Sequence, residues 1–500
     1  MTNKFPSESI MDPGLKPLGR CWTLWGLLLL LAIALQGARG LWDPDEGRYT
    51  DVALEMLESG DWLHPRLHSD QLHYTKPPLT YWTIAASLGF LGRHEWAARL
   101  PNALAFFFTA LLVGALAREL GMAHPRMASL LYATTLLPFA AANIITTDTL
   151  LTLWETFAMW CFVAGWRRNA GLWQAGFWLA LGLAFLTKGP PGLMPLVALV
   201  PWLIREREWS LLTRLFHPTG LLVFAVVGLG WYLIVIRDTP GLLDYFLHKE
   251  VAGRILTSGH HRHGEWYGGF EIYLPTLLVG ALPWWPVALW HAHRNRFRTA
   301  GDAASRRFLL FWLGAPLLVF MLARSRLPLY LLPLFVPLTL LMYLSLVPAF
   351  SSFRSIGTRI ALLTGALLIL ARGGAALLAS DADSRRLASR LSLWMTPAVQ
   401  ELVFVDTRPR YGVHFYLERP VEGVHWQTPP DRMAFQKQES LDTELRHDAL
   451  PRLVLLPIDE STRLEALLDK SGFHWEKEGE AADLAVYLVT PSRGGFIPPA

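Results

Sequence analysis

The chain reads as a mostly α protein, a polytopic transmembrane helical bundle of about eleven spans with amphipathic interfacial helices and a small C-terminal α/β domain. Three observations predict this class. Of its 500 residues 52% are hydrophobic and 17% charged, with a mean hydropathy of +0.29, more apolar surface than a soluble core can hide. Apolar runs long enough to cross the hydrocarbon as helix recur along the chain. Lys and Arg concentrate in alternate loops, the bias that orients membrane proteins.

In order, the spans are expected at 22–38, 97–117, 125–142, 146–166, 172–187, 189–204, 218–236, 270–290, 307–323, 327–347 and 356–372. Lys4, Lys16 and Arg20 precede the first, as they would in a signal peptide. The apolar run from Leu27 to Leu35, however, leads to bulky Trp42 without an Ala-x-Ala site, so it reads as a retained anchor with residues 1–21 cytoplasmic. Cys21 and Cys161 fall at or near cytoplasmic span ends and predict no disulfide framework. The net charge of +4 is no sign of a nucleic-acid partner; its distribution carries the information. Arg118, Arg126, Arg167, Arg168, Arg205, Arg207, Arg214, the arginines of 294–307, Arg354 and Arg359 all fall on the expected cytoplasmic side. The outward segments are then 39–96, 143–148, 187–191, 237–269, 324–327 and everything from 373, and nearly every polar group of chemical interest lies in them.

The first outward loop opens with Trp42-Asp43-Pro44-Asp45-Glu46-Gly47-Arg48-Tyr49. Asp43 suits an N-cap, Pro44 the first helical position, and Glu46 completes a capping box. Tyr49, Val52, Ala53, Met56 and Leu57 then recur at helical spacing, with Arg48, Asp51, Glu55 and Glu58 on the rest, which predicts a helix lying on the membrane interface. Capping leaves Asp45 unexplained beside Arg48. It and Glu46 are candidate site acids. Lys76 precedes Pro77 and Pro78 on a segment that proline holds extended; a snorkelling anchor is the alternative to a fixed charge for phosphate.

Asp148 either caps the helix it begins or serves the site, and Lys188 either marks the outer turn of a helical hairpin or serves the site. In 237–269, His260 and His263 at i, i+3, near Glu250 or Glu265, have the spacing of a divalent metal site, although exposed histidine clusters more often bind nothing. Arg254 and Arg262 suit phosphate recognition. Arg326 and Tyr330 enter the outer end of a span, as site wall or as interfacial anchors. The tail has strand composition at 401–406, 413–417, 453–456 and 485–489, with a helix expected at 459–470. The domains so read are 1–21, 22–372 and 373–500.

These residues resemble a family. The 42–49 motif, Gly60-Asp61-Trp62, Lys76-Pro-Pro-Leu-x-Tyr81-Trp82, Arg99-Leu-Pro101, Thr147-Asp148, Leu186-Thr-Lys188-Gly-Pro190, Leu282-Pro-Trp284 and Leu327-Pro-x-Tyr330-x-Leu-Pro333 resemble, in order over about 20–345, bacterial lipid-linked-sugar glycosyltransferases of the C-type (GT-C) fold. The branch they most resemble is that of the 4-amino-4-deoxy-L-arabinose transferases that modify lipid A, with a more distant likeness to protein O-mannosyltransferases. The resemblance implies an inner-membrane enzyme that moves a sugar from a polyprenyl-phosphate carrier to a periplasmic acceptor such as lipid A. It implies Asp45 as leading catalytic acid or base with Glu46 and Asp148 in support. Lys76, Lys188, Arg326 and an arginine of the 254–262 region would hold donor phosphate, and Arg48, Tyr49, Tyr81 and Tyr330 would line the substrate. One departure is Thr75, where that branch often has glutamate, so an acid or metal ligand associated with that position is absent. A flippase of lipid-linked sugars is the other class; it predicts midplane charges and inverted repeats, whereas here the charges gather at one face.

Overall fold

The computed structural model describes residues 22–491 apart from 69–70, 170, 253–264, 295–301, 347–349, 428–439 and 448–449. Among the described residues, five helices are long and apolar enough to cross a membrane: Glu95–Glu119, Pro218–Asp238, Ala303–Leu322, Pro328–Leu346 and Gly357–Leu377. A pair bent by 78°, Gly268–Gly280 with Trp284–Arg294, makes a sixth. The chain is a multi-pass membrane protein.

The structure thus gives five or six helices of spanning length and composition among the described residues where eleven are expected; the other expected positions hold helices outside that set, several of them short or broken. Helix α1 covers Trp22–Ile33 and stops short of residue 38, because the Gln36 amide folds back on the Ala32 and Ala142 carbonyls, at 2.6 and 3.0 Å. Helix α2 is Asp45–Ser59, ended by Gly60 in the left-handed conformation. A two-stranded ribbon, β1 (Arg66–His68) and β2 (Gln71–Leu72), follows. Helix α3 (Leu79–Leu91) lies inside what the sequence assigns to a loop, and α4 is Glu95–Glu119. The 125–142 span is split into α5 (Pro125–Ala133) and α6 (Leu136–Ala141). Helix α7 (Thr147–Arg168) carries Asp148, Glu155 and several buried threonines, and α8 is Trp173–Lys188. The 270–290 span breaks at Pro283, which lacks a donor, while the Leu282 carbonyl accepts from the Leu136 amide at 3.0 Å and Trp284 Nε1 donates to Thr134.

Lipid is as apolar as leucine, so packing rather than water exclusion holds such helices together. At the end of α7 remote from Asp148, the rings of Phe162, Trp166, Trp202 and Phe308 interlock with centroids 4.9–6.1 Å apart.

The tail is an α/β unit. Strands β3 (Glu401–Val405), β4 (Val421–Val424), β5 (Arg452–Pro457), β6 (His474–Ala481) and β7 (Leu484–Thr490) form one sheet in the order β4-β3-β5-β7-β6. The first two pairings are parallel and the last two antiparallel. Leu402 and Phe404 pack on one face, Val403 and Val405 on the other, where helix Ser461–Ser471 lies, which is why β3 reads as a continuous apolar run. Residues 413–417 are not a strand. They form a short turn of helix, because Val413 belongs to the sheet's core and Phe415 to the core beneath α2.

Candidate active site

The opening motif folds differently from a simple capping box. Pro44, not Asp43, precedes the helix, with no side-chain cap. The Asp43 carboxylate instead accepts from Ser384 Oγ and from the Gly412 amide at 3.3 Å, both in the C-terminal unit. Glu46 does reach back, but to the Trp42 amide, at 2.9 Å.

Glu46 is a hub. It is 1% exposed and accepts from Arg39 at 2.5 and 3.1 Å, from Arg99 at 2.8 and 3.0 Å, and from the Ile145 amide at 3.1 Å. Arg99 spends its remaining donors on the carbonyls of Gln36, Arg39 and Gly40, and Arg39 bonds Asn143. Burial pushes the Glu46 carboxyl up, yet Arg99 and Arg39 overcome it and hold it down at about 2. The hub ties the turn after α1, the start of α4 and the turn before α7 to the first turn of α2. Both Glu46 oxygens are engaged in the described structure, which fastens the first turn of α2 beside Asp45.

Asp45, one residue earlier, is 53% exposed and bonded only to Arg48, at 2.6 Å, in the described structure. The Arg48 guanidinium stands 5.7 Å from the centroid of Tyr49, whose ring meets that of Tyr81 at 5.4 Å. The Tyr49 hydroxyl lies within electrostatic reach of both Asp45 and Asp148. Asp148 does not cap its own helix: Thr146 Oγ accepts from the Asp148 amide at 3.3 Å. Its carboxylate pairs with Lys188, both groups being buried, and Lys188 Nζ sits 4.2 Å above the Tyr330 ring. On the segment before α3, Thr75 Oγ is 2.6 Å from His73 Nε2 and Lys76 Nζ donates to the Thr75 carbonyl at 3.1 Å. Burial, then Arg48 and Lys76, hold the His73 imidazole well below its usual range.

The tertiary structure thus gathers Asp45, Arg48, Tyr49, Tyr81, Lys76, Asp148, Lys188 and Tyr330 around the adjoining ends of α2, α3, α7 and α8. Arg326 is buried and donates to the carbonyls of Glu265 and Met321 at 2.6 and 3.1 Å, which braces a helix end. Arg254, Arg262, His260 and His263 lie outside the described residues. Among the described residues, the metal-type grouping of side chains is Glu401, Glu422 and Glu444; it closes on Arg452, which bonds Glu401 and Glu444 at 2.8 and 3.1 Å.

Sequence reasoning gave no site role to Arg39, Arg99, His73, Asp51 or His414. An arginine within an apolar run needs a carboxylate, and that signal was present at Arg99. Nothing local marks the other four.

The family described as dolichyl-phosphate-mannose-protein mannosyltransferase matches residues 75–231. The chain is 36% identical over 340 residues to an undecaprenyl phosphate-alpha-4-amino-4-deoxy-L-arabinose arabinosyl transferase of Edwardsiella ictaluri, covering 66% of this chain and 59% of the relative. A Pseudomonas fluorescens protein of the same description, numbered 2, is 35% identical over 338 residues, covering 64% and 59%. The chain thus matches less than two thirds of the length of these relatives. The crystal structure of ArnT from Cupriavidus metallidurans bound to undecaprenyl phosphate superposes with a TM-score of 0.74 at 21% identity, covering 95% of this chain and 98% of that one. The chain therefore has the C-type glycosyltransferase membrane fold, and it resembles the undecaprenyl phosphate-aminoarabinose transferases in sequence over about two thirds of its length.

Proposed function

We propose that the protein is a polyprenyl-phosphate-dependent glycosyltransferase of the bacterial inner membrane, with its site facing the periplasm, that moves an aminoarabinose-like sugar to lipid A. The observation that carries this reading is the meeting of an exposed acid, Asp45 with Arg48, and two lysines, Lys76 and Lys188, at one end of a membrane bundle. The relatives' names supply the donor and sugar class.

In this reaction the acceptor oxygen attacks the anomeric carbon, the bond from that carbon to the phosphate oxygen breaks, and polyprenyl monophosphate leaves. Lys76 and Lys188 neutralise the charge that develops on the leaving phosphate. Lys188 already holds an anion in Asp148, and the donor phosphate exchanges for it. Arg254 and Arg262 belong to the loop that would add further cations. An acceptor hydroxyl loses its proton to Asp45; an acceptor phosphate is nucleophilic already, and Asp45 then orients it through Arg48.

The test is the purified chain in nanodiscs with undecaprenyl-phosphate aminoarabinose and lipid A, read by the mass of the product. Parallel arms offer a hexose donor and a hydroxyl-bearing peptide, which separate the lipid A reading from a protein O-glycosyltransferase. Transfer is expected with lipid A and is cut about 10²–10⁴-fold by Asp45→Asn. No transfer from any donor, or full activity in Asp45→Asn, overturns the proposal.

A further inference from the structure

Helix α2 has three sides in use. Glu46, Tyr49, Ala53 and Met56 face the bundle. Asp43, Gly47 and Asp51, four residues apart and so on one face, meet the C-terminal unit. Asp45 and Arg48 are left between those faces.

The contacts on the second face are close and specific. Besides the two bonds to Asp43, the Asp43 amide donates to the Ala382 carbonyl and the Ser384 amide to the Leu41 carbonyl, each at 2.9 Å. A methyl group at Gly47 would strike the Gly412 backbone and Asp43, and one at Gly412 would strike Ser384 and Asp43. Gly47 is therefore glycine for close approach between two backbones. One turn along, His414 Nδ1 sits 2.7 Å from Asp51, which is 1% exposed, and its Nε2 3.6 Å from Glu58. Further out, Arg385 bonds Glu95 at 2.7 and 2.9 Å, and the Tyr416 hydroxyl bonds both Glu95 and the Leu41 amide.

We infer that Ser384, Gly412 and His414 are positioning residues for the reaction, the C-terminal unit forming the outer jaw of a clamp whose inner jaw is the Glu46 hub, with Asp45 and Arg48 fixed between them. The inference rests on the proposed transferase reading. It gives the C-terminal unit a role that requires no contact with substrate.

Two measurements on the full chain test it. Hydrogen–deuterium exchange is followed in peptides covering 42–50, with β5 and β7 as folding controls, for the parent, His414→Leu, Gly47→Ala and His414→Lys. Exchange at 42–50 is expected to rise about tenfold or more in the first two variants, with the strands unchanged, and to recover in His414→Lys, which restores a cation between Asp51 and Glu58. Steady-state transfer is then expected to show kcat down at least about tenfold, as for small misplacement of reacting groups, with donor KM little changed. Unchanged exchange at 42–50 overturns the clamp, as does loosened exchange with full kcat. If the parent transfers no sugar, it is the transferase reading that fails, and the exchange alone then decides the clamp.

Discussion

Two clusters of charge stand within a few residues of each other and are built on opposite rules. Around Glu46, one carboxylate, two guanidiniums and their carbonyl partners are saturated and almost wholly buried. Around Asp45 and Lys188, each acid has one cation among the described residues: Asp45 is exposed with Arg48, and Asp148 holds Lys188 against the Tyr330 ring. A saturated network gains nothing from a ligand and loses much when any member is removed. A single ion pair can exchange one anion for another. On the proposed transferase reading, the difference separates charges that hold the site from charges that work in it, although Asp45 and Glu46 are adjacent in the chain.

Glu46→Gln leaves two buried guanidiniums without a counter-charge and is expected to destabilise by about 3–5 kcal/mol, read as loss of monodisperse protein or a large drop in thermal midpoint. The Glu46 carboxyl lies at about 2 against an ordinary 4.5. Its contribution is therefore present above 4.5 and lost as pH falls toward 2. If Glu46→Gln folds normally and only activity falls, the two clusters are not different in kind.

Asp45→Asn comes next, with activity down about 10²–10⁴-fold and thermal midpoint unchanged, since the carboxylate is exposed. Lys188→Met is expected to raise the donor KM by about 10–100-fold, the worth of one charged hydrogen bond. Steady-state kinetics against donor concentration checks it; an unchanged KM would remove Lys188 from phosphate binding.

The smallest expected effect is on pH. Burial pushes His414 down, but its bonds to Asp51 and Glu58 outweigh that and raise it to about 9 from 6.5. Glu58 is shared with Arg93, which also reaches Glu418. A raised histidine stabilises the fold fully below 6.5 and loses that contribution as pH climbs through 9. Asp43, pushed up to about 7 from 3.8 by burial, adds a loss of the same sign between those values. Thermal midpoints are expected to fall by a few degrees from pH 6.5 to 9, a slope that His414→Leu flattens; an equal slope in that variant would detach His414 from the clamp.

The solvent of this chain is written in its local composition. Its apolar runs, its alternating arginine loops and the order of its motifs were enough to read a membrane bundle, a cluster of polar groups at one end of it and an α/β tail, because hydrophobic length and charge bias are local properties of the chain. Asp45, Lys76, Asp148 and Lys188 were legible as candidates for the same reason: each is a charge at the mouth of an apolar run. Partnership between charges came from the fold. Whether Glu46 caps, reacts or holds depended on Arg39 and Arg99, the second lying 53 residues away. Arg326 turned to carbonyls, and Asp43 to Ser384 across 341 residues. Residues 413–417 exchanged a strand pattern for a turn of helix because their two apolar faces serve different cores. A charge announces itself in sequence; its counter-charge is chosen by the fold.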